Sequence, residues 1–217
     1  MNQELILSKT IDFVKDTLNN AEGGHDWFHI QRVYKNTKLI AKDEAVDILI
    51  VSLGALLHDI ADSKFYDGDE TIGPRMAREF LVDLQVQSSV IDHVIKIIEN
   101  ISFKGGNTKQ HFRSPELEVV QDADRLDAIG AIGIARCFNY GGFKNRGLYD
   151  PQIRPNLSMS KEEYKASTAP TINHFYEKLL LLKDRMNTKT GKKIAEERHR
   201  FMEQYLDQFY KEWEGER

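Results

Sequence analysis

A histidine and an aspartate, His58 and Asp59, stand side by side near the end of the apolar run 53–62. Burying an imidazole or a carboxylate without a partner costs several kcal/mol, so this pair needs a cation or another charge beside it. A divalent metal ion is the simplest such partner. A site made of imidazole nitrogen and carboxylate oxygen suits Mn, Fe, Co, Ni or Zn better than Ca or Mg, which prefer oxygen ligands alone.

Two other segments carry side chains of the same kind. His25 and His29 are four residues apart and therefore share one face of an expected helix. In a later segment the apolar pattern places Asp124 nearer the core than Asp122. Each residue also has a structural explanation, since His29 can line a core and His25 with Asp26 can cap a helix. A metal site requires that these separated segments converge.

Composition and charge describe a protein with one substantial core. The chain has 217 residues, 41% of them hydrophobic, and a net charge of -4, and we interpret it as a single domain over residues 1–217. The mild charge and the lack of a basic stripe disfavour a nucleic-acid polymer as partner. No window approaches the run of about 18 apolar residues that spans a membrane, so no membrane partner is expected.

Cysteine usage and the N-terminal segment bear on the location of the protein. The single cysteine, Cys137, excludes an internal disulfide and is expected to be a small buried hydrophobe. No N-terminal stretch resembles a signal peptide. The expected location is therefore cytoplasmic.

Apolar residues repeat at intervals of three and four rather than two, which predicts an all-α fold. The expected helices span 3–19, 25–42, 47–60, 115–138, 170–186 and 190–213, and two more begin near Pro74 and Ser88. The helix over 47–60 is almost wholly apolar, so it is expected at the centre of the bundle. Residues 139–160 are rich in glycine, proline and basic side chains, which predicts a long loop and a lid for an anionic substrate.

The order of the candidate ligands, a histidine, then His-Asp, then a further aspartate, resembles the HD-domain superfamily of metal-dependent phosphohydrolases. The resemblance covers about residues 20–140 and rests on Gly-His-Asp-Trp-Phe-His at 24–29, His-Asp-Ile-Ala-Asp-Ser-Lys-Phe at 58–65, Ser-Phe-Lys-Gly-Gly at 102–106 and Asp-Ala-Asp-Arg-Leu-Asp-Ala-Ile-Gly-Ala at 122–131. These motifs are similar to a bacterial subfamily of small stand-alone HD hydrolases, some of which are nucleotide pyrophosphohydrolases. The resemblance implies an HD-domain-like helical bundle, with C-terminal helices over 161–214 packed on the motif region.

The resemblance also implies a metal centre and a reaction. Carried over by position, the residues that bind one divalent ion, commonly Mn, Fe, Co, Ni or Mg in this superfamily, are His29, His58, Asp59 and Asp124. Such a site leaves coordination positions open for water and a phosphoryl oxygen. The expected reaction hydrolyses a nucleoside triphosphate to the monophosphate and pyrophosphate. The partner is then a small nucleotide, and a homodimer is compatible with this function.

Several residues are expected to act around the metal centre. Asp62 can orient the attacking water as a general base or cap a loop. Three cations are candidates for binding the phosphates of the substrate: Lys64, Lys104 and Arg146. Three further residues can support the ligands: His25, Asp26 and Asp127.

Some of these side chains have alternative partners. Asp127 can instead pair with Arg32 or Arg125. On a late helix, His174 and Lys178 are four residues apart, and a solvated face is the interpretation we prefer for them.

Other functions are compatible with the same residues. A nucleotide monophosphatase or a cyclic-nucleotide phosphodiesterase would share the chemistry and differ in products. A non-catalytic nucleotide sensor would use the metal only as an anchor, although degenerate members of the superfamily usually lose one of the four ligands. A di-iron enzyme of oxygen chemistry would need further ligands, and His93 and His111 do not clearly reproduce the spacing of a second metal site.

Overall fold

The structure is a computed structural model that describes residues 2–19, 26–61, 69–101 and 112–217. Within these ranges the regular secondary structure is helical and contains no strand, which confirms the all-α prediction. The chain divides into two compact units, residues 1–124 and residues 125–217. Among the described residues, no helix combines the length and the apolar character needed to cross a bilayer.

The first unit consists of five helices and most of a sixth. Their bounds are α1 Gln3–Thr17, α2 Trp27–Ile40, α3 Ile48–Leu57, α4 Ile72–Asp83, α5 Ser88–Asn100 and α6 Pro115–Asp127. Helix α3 packs against α1, α2 and α5, and all its residues from Leu49 to Leu57 are buried. Asp47 begins this helix by accepting hydrogen bonds from the backbone N–H groups of Leu49 and Ile50. The prediction of a central apolar helix is therefore confirmed, and its last residue leads directly into His58.

The prediction of one continuous helix from 115 to 138 is wrong. The structure has two helices there, α6 and then α7 from Gly130 to Phe143. Gly130 has φ +75°, in the left-handed region that a glycine occupies without the cost that a Cβ imposes. Three residues later, Gly133 packs so closely on Ala128 that an added Cβ would lie 2.3 Å from its carbonyl oxygen. The two glycines therefore make a tight corner between α6 and α7. The apolar spacing does not show this corner, because it continues through both glycines.

The second unit contains α7 and the remaining C-terminal elements. These are α8 Lys161–Ala166, α9 Asn173–Glu177, two short 3-10 turns at Leu179–Leu181 and Lys183–Arg185, and α10 Lys189–Trp213, which packs against α7. The predicted helix over 170–186 is wrong, because Lys178 leaves helical conformation with φ -143°. The loop predicted over 139–160 begins later than expected, after Phe143. Within this loop the carbonyl of Gly147 accepts a hydrogen bond from the backbone N–H of Thr171. Cys137 is buried, as predicted.

The prediction that His174 lies on a solvated face is wrong. Its ring is half-buried, and the Tyr164 hydroxyl lies 2.7 Å from its Nδ1. Burial lowers the pKa of His174 to about 4, and the positive charges of Lys178 and Arg146 act in the same direction. The imidazole is therefore neutral at physiological pH, with Nδ1 able to accept the hydrogen bond that the tyrosine donates.

This histidine is expected to make the protein less stable in mild acid. Its ordinary pKa is 6.5 and its folded-state pKa is about 4, so it contributes stability above pH 6.5 that is lost as the pH falls toward 4. Between pH 7 and pH 5 the loss is about 2 kcal/mol. In His174→Gln, the free energy of unfolding measured with urea should fall by about 2 kcal/mol less over this interval than in the wild type. Equal losses in both proteins would contradict the assignment.

Candidate metal centre

The His58 imidazole is held by the helix that it terminates. Its Nδ1 lies 2.9 Å from the carbonyl oxygen of Ala55, one turn earlier. A carbonyl oxygen can only accept, so Nδ1 carries the hydrogen and Nε2 presents a lone pair. The side chain is only 5% exposed. A buried imidazole with a fixed tautomer and an available Nε2 is the arrangement found in metal-binding histidines.

His29 lies in the first turn of α2, where Asp26 fixes its backbone. The Asp26 carboxylate accepts a hydrogen bond of 2.9 Å from the backbone N–H of His29, which makes Asp26 the N-cap of the helix. The His29 side chain is 4% exposed, and its ring meets the ring of His58 edge-on at a centroid distance of 5.4 Å. Of the two roles considered for Asp26, the structure shows the cap, which also orients the residue that carries the imidazole.

The four predicted ligands lie in one region of the first unit. His29, His58 and Asp59 each offer a ligand atom, and these three atoms lie within 4.8 Å of one another. The Asp124 carboxylate lies 3.5 Å from Nε2 of His29 and 4.0 Å from Nε2 of His58. Metal–ligand bonds of about 2.1 Å in an octahedron separate ligand atoms by about 3 Å when adjacent and about 4.2 Å when opposite. The two distances from Asp124 lie within this range, and the His29, His58 and Asp59 atoms lie within or close to it, so this set of donors suits one divalent ion.

The centre is buried on one side and open on the other. The two imidazoles are almost inaccessible, whereas the Asp124 side chain is 40% exposed. Two neutral imidazoles and two carboxylates would neutralise a divalent cation and leave positions for water and a substrate oxygen. Of the His29, His58 and Asp124 side chains, Asp124 is therefore the one that solvent reaches.

Asn36, which the sequence analysis did not identify, links two of the helices that carry predicted ligands. Its side-chain amide donates a buried hydrogen bond of 3.3 Å to the carbonyl oxygen of Ala123, the residue before Asp124. This contact joins α2, which carries His29, to α6, which carries Asp124. Asn36 follows His29 by seven residues on α2 and so shares its face of the helix. This seven-residue spacing is the sequence feature from which Asn36 could have been identified.

The structure places the remaining predicted residues differently. Asp127 is buried and forms an ion pair with Arg136. The Arg146 guanidinium donates a hydrogen bond of 2.6 Å to the carbonyl of Ser167, so it contacts the backbone of its own unit. The prediction that Asp124 lies nearer the core than Asp122 is wrong, because Asp122 is fully buried and the Asp124 side chain is 40% exposed. Four predicted residues lie outside the described residues: His25, Asp62, Lys64 and Lys104.

His93, considered for a second metal site, has other neighbours. Its Nε2 lies 2.9 Å from the Ser114 hydroxyl and 3.4 Å from the Glu116 carboxylate. The Glu116 carboxylate also accepts from the backbone N–H of Asp47. These contacts place His93 in a polar cluster around the start of α6. The other histidine considered, His111, lies outside the described residues.

Comparisons with known proteins agree with the geometry. The HD domain family matches residues 27–129. The chain is 40% identical over 206 residues to the uncharacterized protein YpgQ of Bacillus subtilis, covering 94% of this chain and 91% of that one. It also resembles a crystal structure of an HD-superfamily hydrolase from Bacillus thuringiensis, with a TM-score of 0.80, 44% identity, and 98% and 99% of the two chains covered. A crystal structure of YpgQ in complex with ADP matches with a TM-score of 0.77, 38% identity, and 98% and 97% coverage.

Proposed function

The chain belongs to the HD domain family of metal-dependent phosphohydrolases, and on this premise we propose that it hydrolyses a nucleoside triphosphate to the monophosphate and pyrophosphate. The observation that carries the proposal is the convergence of His29, His58, Asp59 and Asp124. These residues come from three separated segments and combine the nitrogen and oxygen donors that a phosphohydrolase metal centre needs.

His29 and His58 would hold the ion from the buried side, and Asp59 and Asp124 would complete the set. When bound, a divalent ion supplies Lewis acidity toward a phosphoryl oxygen and makes a water molecule more acidic. The protein's own residues hold the ligand side chains in position. The Ala55 carbonyl holds the His58 imidazole in one tautomer, and Asp26 holds the backbone of His29. The exposed Asp124 leaves an accessible side for the phosphoanhydride.

A nucleotide is the substrate class that the comparisons favour. YpgQ, which is similar to this chain over nearly its whole length, has been crystallised with ADP. ADP contains a purine base, a ribose and a phosphoanhydride. The proposal extends this class to a triphosphate, cleaved between the α- and β-phosphates. The predicted phosphate contacts Lys64 and Lys104 are part of the proposal, whereas Arg146 is not, because its guanidinium donates to the carbonyl of Ser167.

The reaction is tested by its products. We expect purified protein with Mn to convert a nucleoside triphosphate into one monophosphate and one pyrophosphate, without early release of orthophosphate. The panel should contain the common ribo- and deoxyribonucleoside triphosphates, ADP, AMP and cyclic AMP, each with Mn, Co, Ni and Mg. Nucleotides are separated by chromatography, and pyrophosphate and orthophosphate are assayed separately.

Each alternative predicts a different outcome of this assay. Orthophosphate from AMP alone would identify a monophosphatase, and AMP from cyclic AMP would identify a phosphodiesterase. Either result would contradict the proposed reaction. Nucleotide binding without turnover, under every metal, would favour a sensor.

A further inference from the structure

The last turn of α6 is held by two arginines from later helices. The end of a helix leaves backbone carbonyl groups without helical partners. Arg198 of α10 donates to the carbonyl oxygen of Leu126, and Arg136 of α7 donates to that of Asp127 at 3.3 Å. Arg136 also forms the ion pair with the Asp127 carboxylate. Two carbonyl groups and one carboxylate at the end of α6 therefore have guanidinium partners, and the Leu126 carbonyl also accepts from the backbone N–H of Ile129.

The Asp127 carboxylate at the centre of these contacts is shielded from water. The Asp127 side chain is only 2% exposed, and Arg136 is partly buried against it. Burial lowers the pKa of Arg198, and the charge of Asp127 acts in the opposite direction, as expected for a guanidinium and a carboxylate that are close together. Removing one partner of a buried ion pair is costly, because the other charge stays desolvated. The contact with Arg136 is therefore expected to help hold the end of α6 in place.

The anchored turn lies next to a predicted metal ligand. Asp124 precedes Asp127 by three residues on α6, about one helical turn. Because the Asp124 side chain is partly exposed, the path of the helix backbone has a large part in deciding where its carboxylate lies. A further arginine contact lies beside the same turn, since the Arg125 guanidinium donates to the carbonyl of Arg185 at 2.7 Å.

We propose that Arg136 is a positioning residue for the metal centre, which acts through Asp127 to fix the last turn of α6 and thereby the Asp124 carboxylate. The inference rests on the proposed function, in which Asp124 is a metal ligand. Residues that contact a metal ligand directly typically contribute about 10- to 100-fold to metal affinity, and because Arg136 acts through Asp127 the lower end of that range is expected. The positive guanidinium also stabilises the negative end of the α6 dipole, which a neutral replacement would not do.

The test compares metal binding in Arg136→Gln with Arg136→Lys and with the control Arg78→Gln. The control removes an arginine from an exposed ion pair with Asp92, 2.9 Å long, on α4 and α5. Titration calorimetry with Mn should show about 10-fold weaker binding in Arg136→Gln and no change in the control. The visible absorption of bound Co should shift in Arg136→Gln, because its band positions report ligand geometry. Arg136→Lys should recover part of the affinity.

Two measurements separate an effect on the stability of the protein from an effect on the geometry of the metal centre. All titrations are made well below the unfolding midpoint of each variant, where a purely structural role would leave the Co spectrum unchanged. If Arg136→Gln does not fold, Arg136→Lys carries the test, with an expected loss of several-fold and a shifted spectrum. Wild-type affinity and spectrum in the folded variants would overturn the inference and leave the proposed function standing. A wild-type protein that binds neither Mn nor Co would overturn both.

Discussion

Asp59→Asn is expected to lower kcat/KM for nucleotide hydrolysis by at least about 1000-fold, because the loss of several kcal/mol of Lewis-acid stabilisation corresponds to about three powers of ten. The asparagine keeps the shape of the aspartate but removes a charge and an anionic donor from the His29, His58 and Asp59 cluster. The remaining ligands would then compensate only one of the two positive charges of the ion. Helical content should be unchanged, since Asp59 follows the end of α3.

The same variant provides a measurement that does not depend on activity. Mn should raise the unfolding midpoint of the wild-type protein, because a ligand that binds only the folded state stabilises it. The increase should vanish in Asp59→Asn. Asp92→Asn is the matched control, since it removes an exposed carboxylate that pairs with Arg78. Full activity and an intact Mn response in Asp59→Asn would exclude Asp59 as a ligand.

The second large effect is expected at the corner between α6 and α7. In Gly133→Ala the new Cβ would lie 2.3 Å from the carbonyl oxygen and 2.5 Å from the carbonyl carbon of Ala128. Both atoms belong to the backbone, so no side-chain rotation can relieve the contact. The corner must open, at a cost of about 3 kcal/mol, the upper part of the usual range for overpacking.

Gly142→Ala is the matched control for this substitution. It lies on the same helix, and nothing is within 4 Å of its added Cβ, so the change should be neutral or stabilise by up to about 1 kcal/mol. Urea unfolding, followed by circular dichroism, measures both variants against the wild type. A Gly133→Ala midpoint equal to that of Gly142→Ala would show that the corner is not tightly packed.

The central helix and the candidate ligands were accessible from the sequence for different reasons. An almost wholly apolar run of this length that ends in His58 favours a buried helix with a polar terminus, so the central position of α3 could be predicted from the sequence. The spacing along the chain did not predict that His29 and Asp124 lie close to His58, because distance along the chain does not determine distance in space. That prediction came from the resemblance of the ordered motifs to the HD-domain superfamily.

The corner at Gly130 and the role of Arg136 could not be predicted in the same way. The apolar period of 3.6 continues across the break, and only the backbone angle of Gly130 shows that the helix stops. An arginine on an amphipathic helix usually indicates a solvated face, whereas Arg136 reaches a buried carboxylate. His174 was assigned to solvent for the same reason. Tertiary contacts decide these positions.

The uneven burial of the four candidate ligands has a kinetic consequence. Among the described residues, the two histidine side chains are almost inaccessible, whereas the Asp124 side chain is accessible. An ion bound as proposed would be reached from the Asp124 side, and a bound nucleotide would occupy that same side. Exchange of the ion with solvent should then be slower while a nucleotide is bound.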